Sequence, residues 1–236
     1  MEFPRAILAA AGARGALTRG GTFALAALLV ASALAVWGVT AYRKNQQHKA
    51  VAVLVRDSSE RLEAALALNP EGASPQTVAK LDEQAQEVDK HLIELRDTSA
   101  SSDRALGAAA EEYLLTVRQI LREQAASHRY GIQVAATEGK LREHMRGAAR
   151  RSKAWIDEAV SAKDRMERSY FDYRVSSEAL DRLLASYPPT RKKMAAQLRA
   201  PLASDEAVEA ARKRIAAASK RVGAGVEQAR QLAAVR

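Results

Sequence analysis

Residues 74–95 read SPQTVAKLDEQAQEVDKHLIEL, and the spacing of their apolar side chains decides the fold class. Val78, Leu81, Ala85, Val88, Leu92 and Leu95 recur in steps of three and four. That period lays side chains along one helix face, a seam for packing against another helix. Ser74 stands ahead of Pro75, a capping hydroxyl before a proline at the first helical position. Upstream, Val51, Leu54, Val55, Leu62, Ala65 and Leu66 form a second stripe, and Asn69-Pro70-Glu71-Gly72 supplies the residues of a turn that ends it. Downstream, a stripe runs from Leu141 and Met145 through Met166, Tyr173, Leu180 and Leu184 to Tyr187. A last one joins Val208, Ala211, Ile215, Ala218, Val222, Val226, Ala229 and Ala233, behind Ser204-Asp205-Glu206. There a capping serine precedes two acids in the turn where the helix dipole favours them.

Between these stripes the boundaries are less sharply written. A third helix opens near Ser101-Ser102-Asp103 and meets no proline before Pro188. Gly131, Gly139 and Gly147 are where it could break, each costing about 1 kcal/mol relative to alanine, and the sequence leaves broken and unbroken forms open. Tyr187-Pro188-Pro189-Thr190 predicts a turn, followed by a short basic helix that Pro201 interrupts. Composition agrees with helix throughout: among 236 residues, 47% are hydrophobic but only 5% aromatic, and none is cysteine. The missing thiols exclude disulfides, thiolate metal sites and a cysteine nucleophile.

From Thr22 to Tyr42 the chain runs without a charge, TFALAALLVASALAVWGVTAY. As a helix that stretch spans roughly 31 Å, close to the hydrocarbon thickness of a bilayer. Arg19 precedes it, Arg43-Lys44 follow, and Trp37 and Tyr42 lie near one end as interfacial aromatics do. The expectation is a single-pass anchor in the plasma (inner) membrane. Cleavage as a signal peptide, near Ala31-Ser32-Ala33, and an organellar transit segment are the competing readings. A short basic head resembles a signal anchor, which places the C-terminal part outside the cytoplasm, in a periplasm where the cell has one. Small residues at Ala24, Ala27, Ala31, Ala35 and Gly38 form a stripe that lets two copies pair as a homodimer.

The fold expected is therefore all-α: a single transmembrane helix followed by an elongated antiparallel helical bundle or coiled-coil hairpin. Its parts are a short basic segment (1–21), the membrane helix (22–42), a membrane-proximal bundle (43–139) and a basic helical hairpin (140–236). The last of these carries 22 Lys and Arg against 12 Asp and Glu, a net +10, whereas residues 43–139 carry −3. Such asymmetry predicts an anionic partner for the C-terminal arm, either an acidic protein surface or phospholipid headgroups. Nucleic acid is not expected, since no stacking aromatic lies between the cations.

Chemistry-bearing motifs are missing from the sequence. The residues three before His48, His91, His128 and His144 are Asn45, Val88, Ala125 and Leu141, so the Glu-x-x-His pairs of bundle di-metal sites do not occur. Glu87, His91 and Glu94 share a face and read as surface charge pairing. No phosphate loop or nucleophile elbow is present. The sequence thus predicts no enzyme, no cofactor and no metal. Five of the seven aromatics beyond residue 42 fall between Trp155 and Tyr187. Of these Phe171 stands off the apolar stripe, with Val175 a turn further on. Together with Arg191, Lys192 and Lys193 they are the expected partner-binding residues. The function expected is a non-enzymatic, membrane-anchored scaffold or adaptor. The alternative is an extracytoplasmic sensory domain signalling laterally through its membrane helix. A buried polar pocket lined by several helices would favour sensing, and exposed patches over a solid seam would favour the scaffold.

Overall fold

The computed structural model describes the backbone of residues 19–99, 103–147 and 152–234; in the first helix it describes side chains only at 31–32, 36–42 and from 44 onward. Five α-helices carry these residues: α1 (Arg19–Leu66), α2 (Pro75–Ser99), α3 (Arg104–Arg146), α4 (Lys153–Gln197) and α5 (Asp205–Ala234), with a 3₁₀ turn at Pro70–Gly72. No strand occurs among the described residues. The chain divides into two compact units, residues 1–46 and residues 47–236.

In the first unit the backbone from residue 19 is helical. Val36, Trp37, Val39 and Tyr42 are exposed there. Among the described residues no helix is long and apolar enough to cross a membrane. The side chains of 22–30 and 33–35, most of the expected span, lie outside the described residues, as does the basic segment up to residue 18.

In the second unit each helix runs antiparallel to the one before it. His91 of α2 meets Asp57 and Ser58 of α1 at 3.2 and 2.9 Å. Asp89 of α2 pairs with Arg118 and Arg122 of α3, and Asp82 with Arg129 further along. Between α3 and α4, Tyr113 meets Tyr187 and Ser127 meets Ser177. Arg191, Asp181 and Glu167 of α4 pair in turn with Asp205, Arg212 and Arg230 of α5. The stripes expected from sequence are the faces that make these contacts: Val51 to Leu66, Val78 to Leu95 and Val208 to Ala218 are buried at their stripe positions.

The core has two parts. One gathers α1, α2, the first half of α3, the second half of α4 and the start of α5 around Leu62, Leu81, Leu114, Leu121 and Leu184. The other joins only the end of α3, the start of α4 and the end of α5, around Leu141, Met166 and Val226. The step between them falls where α1 and α2 are joined by the turn at 67–74, so five packed helices become three.

Caps follow the sequence. Ser74 Oγ accepts from Thr77 N at 3.2 Å and Ser204 Oγ from Ala207 N at 3.1 Å. The long third helix is broken: α3 ends at Arg146 with Gly147 as its cap, and Ser152 caps α4 by accepting from Trp155 N. His144 braces this bend, stacked on Trp155 with centroids 4.9 Å apart and donating from Nε2 to the Trp155 carbonyl.

The turn expected at Pro188-Pro189 is not there. Both prolines lie inside α4, which continues to Gln197, and the chain reverses at 198–204 instead. Each interior proline removes one helical hydrogen bond and crowds the preceding turn, a cost of about 3 kcal/mol or more. Packing on both sides offsets it, for Leu184 and Tyr187 before them and Thr190 and Met194 after them are all buried. The true reversal is latched. Tyr187 Oη donates to the Ala203 carbonyl at 3.1 Å, and Ala203 N donates to Ser59 Oγ at 2.6 Å. Burial pushes the Tyr113 and Tyr187 phenols above their ordinary range, keeping them neutral donors.

Candidate docking face and buried cavity

Two features of the second unit remain after packing is accounted for. The first lies on α4. Ile156, Val160, Phe171 and Val175 are 48%, 54%, 56% and 45% exposed. At 100° per residue all four fall within roughly 100° of arc, as two pairs on the outer face of α4 with Asp164 and Glu167 between them. Charges of both signs flank them: Asp164, Glu167, Arg168 and Asp172 lie beside Phe171, and the Arg174 guanidinium stands 5.8 Å from the Phe171 ring centroid. The sequence singled out Phe171 and Val175 but not Ile156 and Val160, which lie on the same face about four and three turns nearer the start of α4.

The basic arm is largely occupied within the fold. Arg191 pairs with Asp205 at 3.1 Å and Lys193 with Glu112 at 2.9 Å. Arg212 is held by Asp181 and Glu209, and its hydrogen bond to Asp181 raises the guanidinium pKa further. Arg214 donates to the Leu66 carbonyl at the end of α1, where helix carbonyls lack partners. Among the described residues Lys192, Arg199, Lys213 and Lys220 make no ion pair within 4.0 Å. Of the three cations singled out at 191–193, only Lys192 is free for an outside anion.

The second feature is a cavity of about 310 Å³ at the step between the two cores. Its walls come from Ser127, His128, Gly131 and Ile132 of α3, Tyr173 of α4 and Ala218 and Val222 of α5, and the 3₁₀ turn closes one side. Arg221 and Glu71 form an ion pair at its edge. A Cβ at Gly131 would stand 3.5 Å from Tyr173 Cε2, in ordinary contact with the buried Tyr173 ring. His128 is only 4% exposed, and its enclosed Nδ1 has no hydrogen-bond partner. Burial lowers its pKa, so the imidazole is neutral at pH 7.

Glu87 pairs with Lys90 at 2.6 Å, whose hydrogen bond lowers the Glu87 pKa, and His91 turns instead to Asp57. No cluster of three metal-ligating side chains occurs among the described residues. His128 entered the sequence argument only as a failed metal ligand. The signal available was its position: Leu121, Ala125 and His128 share the buried face of α3, so a polar ring sits where apolar ones belong.

The class this fold defines is an all-α helical bundle. No protein-family model, curated protein or solved structure matches the chain.

Proposed function

We propose that this protein is a membrane-anchored, non-enzymatic helical scaffold that docks a protein partner on the outer face of α4. One observation carries the docking reading: Ile156, Val160, Phe171 and Val175 are exposed, in two pairs, on one face of α4. Single exposed apolar residues are ordinary, but an aligned set of four rimmed by charge is the composition of an interface core. The partner that fits is a protein with an apolar helical face and mixed-sign charges at its edge. Lys192 adds an acidic contact at the far end of α4.

Anchoring rests on the uncharged run 22–42 within α1 and on exposed Trp37 and Tyr42, at 71% and 65%. The cation-rich head before it favours a cytoplasmic N-terminus and an extracytoplasmic second unit. Alkaline extraction of membranes tests the anchor. The full chain should stay in the pellet and a variant lacking 22–42 should leave it; a full chain released by alkali has no membrane helix. An enzyme reporter active only outside the cytoplasm, fused after Arg236, should be active if the orientation is right.

A second reading, an extracytoplasmic sensory domain, is favoured by the cavity beside His128, which several helices line.

A further inference from the structure

The charges on the outer face of α4 follow an order of their own. The first half of the face carries Lys153, Lys163 and Asp164, and the second half Glu167, Arg168 and Glu178. Lys153, Lys163, Asp164 and Arg168 make no ion pair within 4.0 Å among the described residues. Glu167 receives Arg230 of α5 at 3.2 Å, and Glu178 has only the exposed Arg174 one turn before it. The two apolar pairs sit on either side of the charged centre, Ile156 and Val160 before it, Phe171 and Val175 after it. Two apolar patches about a charged middle are what a two-fold axis through that middle requires, since each patch then meets the other patch of the opposite copy.

A second α4 laid antiparallel, with the axis passing between Arg165 and Met166, makes the face complementary to itself. Val160 stands opposite the second copy's Phe171, and Lys153 opposite the second copy's Glu178. Such an axis keeps each flank of the face on its own side. At 100° per residue Lys163 and Glu167 share one flank, and Asp164 and Arg168 the other. On both flanks base therefore meets acid: Lys163 faces the second copy's Glu167, and Asp164 the second copy's Arg168. A parallel pair in register sets each of these charges against its own kind. We infer that the protein docked on α4 is a second copy of this chain, bound through its own α4 in the antiparallel direction. The inference rests on the docking reading above and names its partner. The exposed ion pairs fix direction and register more than affinity, which comes from the apolar contacts.

The chain has no cysteine, so introduced thiols report the register without background. Lys153→Cys and Glu178→Cys are made separately in the full chain, one of them carrying a size tag, then purified, mixed and oxidised. The mixture should give a disulfide-linked dimer of one tagged and one untagged chain, since the two positions face each other closely enough to bridge. Neither variant alone should link, because two copies of position 153 lie about 38 Å apart along the antiparallel pair. Adding Phe171→Glu to both variants should abolish the mixed dimer while leaving helical content unchanged. No mixed dimer overturns the proposal. So do equal yields from each variant alone, which mean a parallel or random encounter, and a mixed dimer that survives Phe171→Glu, which means contact elsewhere. Photo-crosslinking from Phe171 in membranes separates this failure from that of the docking face. Capture of a different protein and never of a second copy overturns the partner named here and leaves the face standing.

Discussion

Leu92 and Leu180 are fully packed side chains on different helices, and each was assigned to the core by its place in a three-four repeat. Leu→Ala at either should cost about 2–5 kcal/mol in urea unfolding, towards the lower end in a core this rich in alanine. Phe171→Ala should leave the melting temperature within a degree or two of the parent, because the ring is more than half exposed. His128 makes a prediction of a different kind. Its folded pKa lies below the ordinary value near 6.5. The unfolded chain therefore takes up a proton first as pH falls. The stability present above about pH 6.5 is lost as pH falls from there through the folded pKa. Stability curves at pH 7.5 and 5.5 should diverge less in His128→Leu than in the parent; an equal divergence would mean the imidazole is not held neutral. Apolar repeats were legible because they state their own partner, another apolar face. His128 was not, since what surrounds it comes from α5 and a turn more than fifty residues away.

At the scale of elements, the same contrast separates caps from proline pairs. A cap is local: Ser74, Ser204 and Asn69 need only their own next few residues, and each does what its sequence implies. Gly147 stood among three glycines that local cost could not rank. It is the one that breaks the helix, while Gly131 and Gly139 stay inside α3. Pro188-Pro189 gave the strongest local signal of all and was outvoted by tertiary packing of Tyr187, Thr190 and Met194. That outcome can be measured. If α4 is continuous, Pro188→Ala restores a helical hydrogen bond and should raise the melting temperature. If the chain turned there, the same change would remove a residue suited to the turn and lower it. The reversal at 198–204 depends on its latch. Ser59→Ala leaves the buried Ala203 N–H without its partner and should cost about 1–3 kcal/mol, read by chemical denaturation.

For the whole molecule, charge and surface have to be read together. The sequence placed a net +10 in the last 97 residues, and that asymmetry pointed to an acidic partner. In the fold the stretch 43–139 meets it through Glu71, Glu112 and Glu138, which pair with Arg221, Lys193 and Arg142, while Asp181, Asp205 and Glu167 are already counted in that net charge. The docking face on α4 stood out only in part in the sequence, which singled out Phe171 and Val175 but not Ile156 and Val160. Raising salt should accordingly weaken partner binding only slightly, since exposed charges are screened over about 8–10 Å while apolar contacts are not. The docking account is tested most directly by photo-crosslinking in intact membranes, with the reactive amino acid placed in turn at Phe171 and at Glu87 of the full chain. A single dominant protein adduct from position 171, and none from position 87, is the result the account predicts. No adduct from 171, or the same set of adducts from both positions, would contradict it.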